Sequence, residues 1–159
     1  MKGVLPSPCS PPADALGCRP VQGPAELADH HRIRRTVFVL EQGLFEPDDH
    51  DLHDDDPRTV HVLGLVHGVP AGTVRLYPLA GTVWKGDRLA VLPRQRRSGI
   101  GRPLVCFAVA TAAQRGGTRM DATVQAANTD FFLGLGWSVV GGPAEHLGLL
   151  HQSMTIPLG

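Results

Sequence analysis

The chain has few cysteines, no long apolar run and no excess of charge of either sign, and each of these shortages excludes a class of protein. No apolar run approaches the roughly 18 residues that a transmembrane helix requires, so no membrane partner is predicted. Fifteen basic residues balance fifteen acidic ones, which argues against a nucleic-acid partner. The hydrophobic content of 42% over 159 residues instead suits a globular domain with a sizeable core.

Cysteine is scarce and proline is concentrated near one end of the chain. Cys9, Cys18 and Cys106 are odd in number and widely spaced, so neither a disulfide framework nor a zinc motif is predicted. Reduced thiols in a cytoplasmic protein are expected, with Cys106 as a small core residue. Six prolines fall within the first 24 residues, without the apolar segment of a signal peptide. The prediction is a flexible tail over residues 1–16 and a single domain over residues 17–159.

The order of the predicted elements indicates an α+β fold. Apolar periodicity and turn residues give a strand, a helix, a hairpin, further strands, a second helix, a strand, a short helix and two closing strands. This order does not match a doubly wound parallel sheet. The predicted bounds are 17–20, 25–43, 59–66, 71–77, 82–85 as a small extra strand, 88–92, 101–115, 119–125, 129–135, 137–141 and 150–156.

The most informative segment is the basic, glycine-containing loop between strand 88–92 and the helix that follows it. Amides at a helix N-terminus lack intrahelical partners, and the helix dipole favours an anion there. Gly99 and Gly101 allow the backbone to approach such an anion closely. Three arginines add positive charge around it, namely Arg96, Arg97 and Arg102. We therefore predict a ligand that carries a pyrophosphate.

The spacing of this loop excludes two common nucleotide-binding motifs. A Walker loop requires Lys followed by Ser or Thr after its second glycine, where this chain has Arg102-Pro103. A dinucleotide-binding fingerprint requires a third glycine, which is missing here. The remaining pattern, Arg96-x-x-Gly99-x-Gly101 between a strand and a helix, resembles the acetyl-coenzyme A signature of the GNAT superfamily of N-acetyltransferases.

Three further segments resemble the same superfamily, and with these four separate matches in the right order the resemblance covers roughly residues 18–158. Segment 128–137 is similar to the short helix before the sixth strand of these proteins. Residues 34–42 and 148–154 resemble the R-x-x-V-F-V-x-E-Q helix and the G-x-x-H-x-x-M ending of one bacterial subgroup. The resemblance implies the GNAT fold, a mixed central β-sheet flanked by helices. It also implies an N-acetyltransferase with acetyl-CoA as donor and a small-molecule amine as acceptor, and it leaves a homodimer open.

The resemblance also implies a cofactor site. The pantetheine arm of acetyl-CoA would pair with the backbone of strand 89–91 where this strand splays from strand 119–125. Phe132 occupies the position where many members have a tyrosine that protonates the leaving thiolate. The residues implied for acetyl-CoA binding are Leu89, Ala90, Val91, Arg96, Arg97, Ser98, Gly99, Ile100, Gly101, Arg102, Asn128 and Phe132.

Three residues are candidates for the base that an amine acceptor requires. Glu41 comes first, because it ends the first helix beside the substrate cleft that the resemblance implies. His61 and His151 lie on predicted strands, and histidine exchanges protons near neutral pH. Since phenylalanine has no hydroxyl, we expect the reaction to depend on Glu41 more than on any aromatic hydroxyl.

The acidic segment 46–56 is predicted to be a solvated loop, with attraction of a cationic amine as the alternative. Its His50, His53, Asp54 and Asp55 match no zinc pattern, so no metal site is predicted. Two other functions are open. One is an acyltransferase that resembles acylhomoserine-lactone synthases, which have a similar first helix, and the other is a noncatalytic acyl-CoA sensor.

Overall fold

An eight-stranded mixed sheet with helices on its faces forms the fold. The computed structural model describes residue 9 and residues 14–159. The α+β architecture predicted from the sequence is confirmed. Along the chain the elements are β1 (Leu16–Pro20), α1 (Pro24–Arg34), β2 (Val60–Val66), β3 (Val69–Ala80), β4 (Val83–Val91), α2 (Gly101–Gln114), β5 (Arg119–Gln125), α3 (Thr129–Gly134), β6 (Ser138–Val139), β7 (Ala144–His146) and β8 (Leu149–Pro157).

The sheet consists of two antiparallel halves joined by one short parallel pairing. Strands β1 to β4 form an antiparallel meander, and β5 pairs with β8 along its whole length. The halves meet where β4 and β5 run parallel, over only three residue pairs, Val83 with Arg119 to Lys85 with Asp121. Beyond these pairs the two strands separate, which leaves a gap in the middle of the sheet.

Helices α1 and α2 cover opposite faces of the first half, because successive strand residues point to opposite sides. Val62 of β2 belongs to the larger core together with Leu104 of α2. The next residue, Leu63, packs with Ile33 of α1 on the other face. Gly64 allows α2 to lie close to β2, since a Cβ atom there would be 2.8 Å from Ile100 and 3.0 Å from Leu104.

The first helix changes its winding after Arg34. Residues Arg35–Glu41 form π-helical turns, in which the Gln42 amide donates to the carbonyl of Val37, five residues earlier, at 3.0 Å. Helix periodicity predicts one continuous helix to about residue 43 and does not indicate this change. Widened turns of this kind occur frequently at functional sites, and here they end beside the gap in the sheet.

Several predicted boundaries differ from the structure. The separate strands predicted at 82–85 and 88–92 are one strand, β4, because Gly86 and Asp87 also pair with β3. Strand β1 begins at Leu16, one residue inside the predicted tail. The connection predicted between the last two strands contains β7, and β6 has only two residues. Most of the tail 1–16 lies outside the described residues, so its predicted flexibility stays a prediction.

The prediction of reduced thiols is wrong for two of the three cysteines. Cys9 and Cys106 form a disulfide with a Cα–Cα distance of 5.5 Å. The two residues are 97 positions apart, so their proximity depends on tertiary structure that spacing does not report. Cys18 is free and half-buried, and burial raises the pKa of its thiol to about 11, which makes it unreactive. Among the described helices, none is both long and apolar enough to cross a membrane.

Candidate functional site

A cleft of about 530 Å³ lies where β4 and β5 separate. One wall is formed by residues 85–89 of β4, and the other by Met120 and residues 122–125 of β5. The end of the π-helical segment closes one side of the cleft with Phe38 and Gln42. Val105 and Ala108 of α2 reach it from the opposite face of the sheet, so the cleft runs between the two faces.

The basic loop before α2 is anchored to the core at one residue and exposed at most others. Ile100 is buried, and its amide donates a hydrogen bond to Ser98 Oγ at 3.2 Å. The Ser98 hydroxyl in turn donates to the Gln95 carbonyl at 2.6 Å. Gly99 has a φ of +84°, a backbone conformation that other residues rarely adopt. Within the described chain, no side chain caps α2, so its first amides are available to an anion.

The predicted cofactor residues lie along one path from the cleft to this loop. Leu89, Asn128 and Phe132 line the cleft, and Ala90 is buried on the α1 face. The loop does not line the cleft but lies beside it: a Cβ at Gly101 would be 3.9 Å from Val91 and 3.8 Å from Phe131. The arginines of the loop, Arg96, Arg97 and Arg102, are exposed.

The far side of the cleft carries a group of polar side chains. His151 of β8 and His146 of β7 lie with their ring centroids 5.5 Å apart, and both line the cleft together with Glu145. His151 Nδ1 lies 2.9 Å from the Leu149 carbonyl oxygen. A carbonyl oxygen only accepts, so Nδ1 carries the proton of a neutral ring and Nε2 is left as an acceptor.

Other polar atoms in the cleft differ in whether they have a partner. Gln125 Nε2 donates to Gln42 Oε1 at 2.9 Å, which joins β5 to the end of the first helix. Trp137 lines the cleft and is only 4% exposed. Its indole N–H has no hydrogen-bond partner among the described residues, so a donor is available to a ligand at this position.

The three candidate bases are not together. Of them, only His151 lines the cleft. The Glu41 carboxylate forms an ion pair with the Arg96 guanidinium, which joins the end of the first helix to the basic loop. His61 lies on β2 with its Nε2 3.0 Å from Asp54 Oδ1, in a cluster outside the cleft.

The acidic segment is not the solvated loop that the sequence predicts. The side chains of Asp49 and Asp54 are 3% and 0% exposed. Both bind Arg34, whose Nε is 2.7 Å from Asp49 Oδ2 and whose Nη1 is 2.6 Å from Asp54 Oδ1. Burial opposes the ionisation of Asp54, but hydrogen bonds from His61 and Arg34 outweigh it and hold the pKa of this carboxyl far below its usual range.

A second buried arginine extends this cluster towards the cleft. Arg75 of β3 is fully buried and binds Asp51 from Nη1 at 2.6 Å and Asp87 from Nη2 at 2.7 Å. Asp87 is also a cleft residue, so the ion cluster and the cleft share a wall. The acidic loop is therefore folded against the sheet and supplies the counter-ions for two buried guanidinium groups.

Sequence reasoning missed these arginines for a physical reason. Helix periodicity does not predict that Arg34 is buried, because charged residues are rarely buried unless they are paired. Its partners lie 15 and 20 residues away, beyond the reach of helix periodicity. Arg75 could have indicated a buried ion pair. It lies between Val74 and Leu76 in an otherwise apolar strand, and an acidic segment that could supply its partners precedes that strand.

A comparison with protein families agrees with this architecture. The sequence model of the Acetyltransferase (GNAT) family matches residues 26–136, which include most of the first helix, the two strands that border the gap and the basic loop. The chain belongs to this family. Similar proteins include YyaT of Bacillus subtilis, 28% identical over 82% of this chain and 88% of its own length. A second Bacillus subtilis protein, provisionally named an acetyltransferase, is 26% identical over 88% of this chain and 95% of its own.

Solved structures show the same fold. A crystal structure from Lactobacillus plantarum, named for a proposed N-acetyltransferase activity, has a TM-score of 0.80 and 27% identity and covers 91% of this GNAT chain and 99% of its own. YncA of Salmonella typhimurium, solved with its cofactor acetyl-CoA, has a TM-score of 0.69 at 19% identity, with 92% and 95% covered. The acyl-homoserine lactone synthase BjaI, solved with SAM and isopentyl-CoA, has a TM-score of 0.70 at 22% identity, with 84% and 76% covered.

Proposed function

We propose that this GNAT chain transfers an acetyl group from acetyl-CoA to the amine of a small molecule. The observation that carries the proposal is the gap between β4 and β5. It lies directly beside the start of α2, which begins at Gly101 and has no side-chain cap. The free edge of β4 presents backbone donors and acceptors to an extended ligand. The amides of the loop and three exposed arginines suit a pyrophosphate at the end of that ligand.

The donor site is assigned residue by residue from this arrangement. The backbone of Leu89, Ala90 and Val91 would hold the pantetheine arm, since the pairing of β4 with β5 ends at Lys85 and leaves this edge of the strand unpaired. Residues 96–102 would hold the pyrophosphate. Asn128 and Phe132 would bound the donor from the β5 side. The indole N–H of Trp137 gives the cleft a donor that a carbonyl group of the ligand would satisfy.

The acceptor amine must lose a proton before or during its attack, and we propose that His151, which lines the cleft, receives it. Its hydrogen bond to Leu149 leaves Nε2 unprotonated in the neutral ring. His146 and Glu145 lie beside it and give the acceptor polar contacts. Holding the amine against the donor in one cleft supplies most of the acceleration by proximity. The leaving thiolate needs little help near neutral pH, so the absence of a hydroxyl at Phe132 is tolerated.

A matched pair of glycine variants tests the donor site. Gly99 and Gly116 have the same backbone conformation, with φ of +84° and +86°, but Gly116 lies at the far end of α2. Gly99→Glu should abolish acetyl-CoA binding by bringing a negative charge to the pyrophosphate position, whereas Gly116→Glu should bind normally. Binding is measured as a thermal shift, since acetyl-CoA at a hundredfold above its Kd stabilises the parent by about 2.7 kcal/mol. No shift in the parent, or equal shifts in both variants, would overturn the donor assignment.

Turnover separates this proposal from its alternatives. Acetyl-CoA consumption with a panel of small amines supports the acetyltransferase, and binding without turnover of any amine supports a sensor. An acyltransferase that resembles acyl-homoserine lactone synthases is favoured by the similar first helix and by the fold likeness to BjaI. It would prefer longer acyl donors, so rates with acetyl-, butyryl- and hexanoyl-CoA distinguish the two enzymes.

A further inference from the structure

Three imidazoles and one carboxylate meet outside the cleft, on the α1 face of the sheet. His31 comes from α1, His50 and Asp54 from the acidic loop, and His61 from β2. The ring centroid of His31 lies 4.9 Å from that of His50 and 5.8 Å from that of His61. None of the four lines the cleft, so the proposed transferase reaction does not use them.

The spacing of the nitrogen and oxygen atoms suits a metal ion. One donor atom each from His31, His61 and Asp54 lies within 4.8 Å of the others, and His61 Nε2 is 3.0 Å from Asp54 Oδ1. Two ligands at the usual zinc distances of about 2.0–2.2 Å are themselves roughly 3.3 Å apart in a tetrahedral site. Three ligands would be complete once the more distant of these donor atoms moves closer to the others.

We propose that His31, His61 and Asp54 bind a divalent first-row transition metal ion, with Zn²⁺ as the best match to two imidazoles and a carboxylate. The ion would take the place of the hydrogen between His61 and Asp54. His50, with Nδ1 3.9 Å from Asp54 Oδ2, is close enough to complete the tetrahedral set.

The lack of a hydrogen bond to the His31 ring within the described residues indicates that this side chain could bind a ligand. Within the described part of the chain its ring makes no hydrogen bond, although it lies among other imidazoles. A neutral imidazole offers one nitrogen lone pair to a metal ion. His30 is the contrasting neighbour: it is fully buried, and its Nδ1 is 3.1 Å from the Val62 carbonyl oxygen. We therefore leave His30 out of the ligand set.

The charges around Asp54 are compatible with a cation despite the arginines. Four carboxylates of this cluster, those of Asp49, Asp51, Asp54 and Asp87, face three guanidinium groups, those of Arg34, Arg75 and Arg88. The cluster therefore has one more negative than positive charge, and neutral imidazoles add none. The hydrogen bonds from Arg34 also fix the orientation of the Asp54 carboxylate, as outer partners commonly do for metal ligands.

Metal titration of the tag-free chain tests the site after chelator treatment and dialysis. The probes are Zn²⁺ in competition with a chromophoric chelator and Co²⁺ read by its visible absorption. One equivalent should bind, and His31→Ala should weaken binding by about 10-fold or more. His61→Gln should do the same, with circular dichroism to confirm its fold. The control is His67→Asn, an exposed histidine in the β2–β3 turn with a positive φ that asparagine tolerates.

Each outcome decides the proposal. Stoichiometric binding that is lost in His31→Ala and kept in His67→Asn supports it, whatever the activity of the enzyme. No stoichiometric binding by the parent overturns it. Equal weakening in His31→Ala and His67→Asn indicates scattered surface histidines and also overturns it. Because acetyl-CoA binding is measured separately with the glycine variants, failure of the metal site leaves the proposed transferase function unaffected.

Discussion

The ion cluster beneath α1 and the cleft beside it both bury polar side chains, but they satisfy them to different degrees. In the cluster, each buried arginine binds at least two carboxylates. Among the described residues, the Trp137 N–H in the cleft has no partner, and the His151 ring forms a hydrogen bond only to the Leu149 carbonyl. Satisfied groups hold the loop to the sheet, whereas groups with spare capacity can bind a ligand. Asp87 belongs to both regions and connects them.

Removing one buried arginine from the cluster should have the largest effect on stability. Arg34→Ala leaves Asp49 and Asp54 buried without their main partner, which costs about 3–5 kcal/mol of unfolding free energy. The matched control is Arg32→Ala in the same helix, because Arg32 is exposed and its pair with Asp29 contributes at most about 1 kcal/mol. Urea unfolding measures both. Similar losses for the two variants would show that the buried cluster is not special.

Changing the cleft should have the opposite profile, with a large loss of rate and little loss of stability. His151→Asn keeps a polar group but removes the proposed base, and we expect kcat/KM to fall by about 10²–10⁴-fold. Its thermal midpoint should stay close to that of the parent, since the ring binds a carbonyl only two residues away in the same strand. His67→Asn serves as the exposed-histidine control. An unchanged rate in His151→Asn would remove this residue from the mechanism.

The pH dependence of stability sharpens the comparison, because His30 lies beside the cluster as a buried neutral ring. Burial, with the charge of Arg34, lowers its pKa to about 2. Below its ordinary pKa of about 6.5, His30 is protonated in the unfolded chain but stays neutral in the folded chain. Stability from this group is thus complete above pH 6.5 and falls by up to about 1.4 kcal/mol per pH unit as the pH drops towards 2.

A non-titrating side chain should remove that slope. We expect His30→Gln to flatten the dependence of the unfolding free energy on pH between pH 6 and 4.5, even though its absolute stability is lower. The exposed His67→Asn should keep the slope of the parent. Asp54, with its pKa held low, contributes at lower pH: its stabilisation is complete above about pH 4 and is lost as the pH falls further. A parent slope that persists in His30→Gln would contradict this assignment.

Local patterns predicted the elements and the basic loop, and long-range contacts account for what was missed. The strand-loop-helix at residues 88–114 is contiguous, so glycines, arginines and apolar periodicity were enough to indicate an anion site. The partners of Arg34 and the Cys9–Cys106 bond depend on residues 15 to 97 positions apart, which spacing does not relate. The same holds for His31 and His61. Among the catalytic candidates, position on a strand did not distinguish His151 in the cleft from His61 in the ion cluster.

The smallest expected effect concerns Glu41, which lies outside the cleft and pairs with Arg96 of the basic loop. If its role is to position that arginine, Glu41→Gln should raise KM for acetyl-CoA by less than about tenfold, because exposed ion pairs contribute at most about 1 kcal/mol. Its kcat should stay near that of the parent. Arg96→Gln should raise this KM further, because it also removes a charge that we propose faces the pyrophosphate. In the Arg96→Gln background, Glu41→Gln should add nothing, since the pair is already lost.

A base would behave differently under the same measurements. Loss of a general base lowers kcat by about 10²–10⁴-fold and alters the pH profile of the rate, while KM for the donor changes little. The Glu41→Gln variant therefore distinguishes the two roles by which constant moves. A fall in kcat of that size, absent from Arg96→Gln, would return Glu41 to the position of first candidate base. It would also mean that the ion pair is broken when acetyl-CoA binds, so that the arginine turns to the pyrophosphate and the carboxylate becomes free to reach the amine.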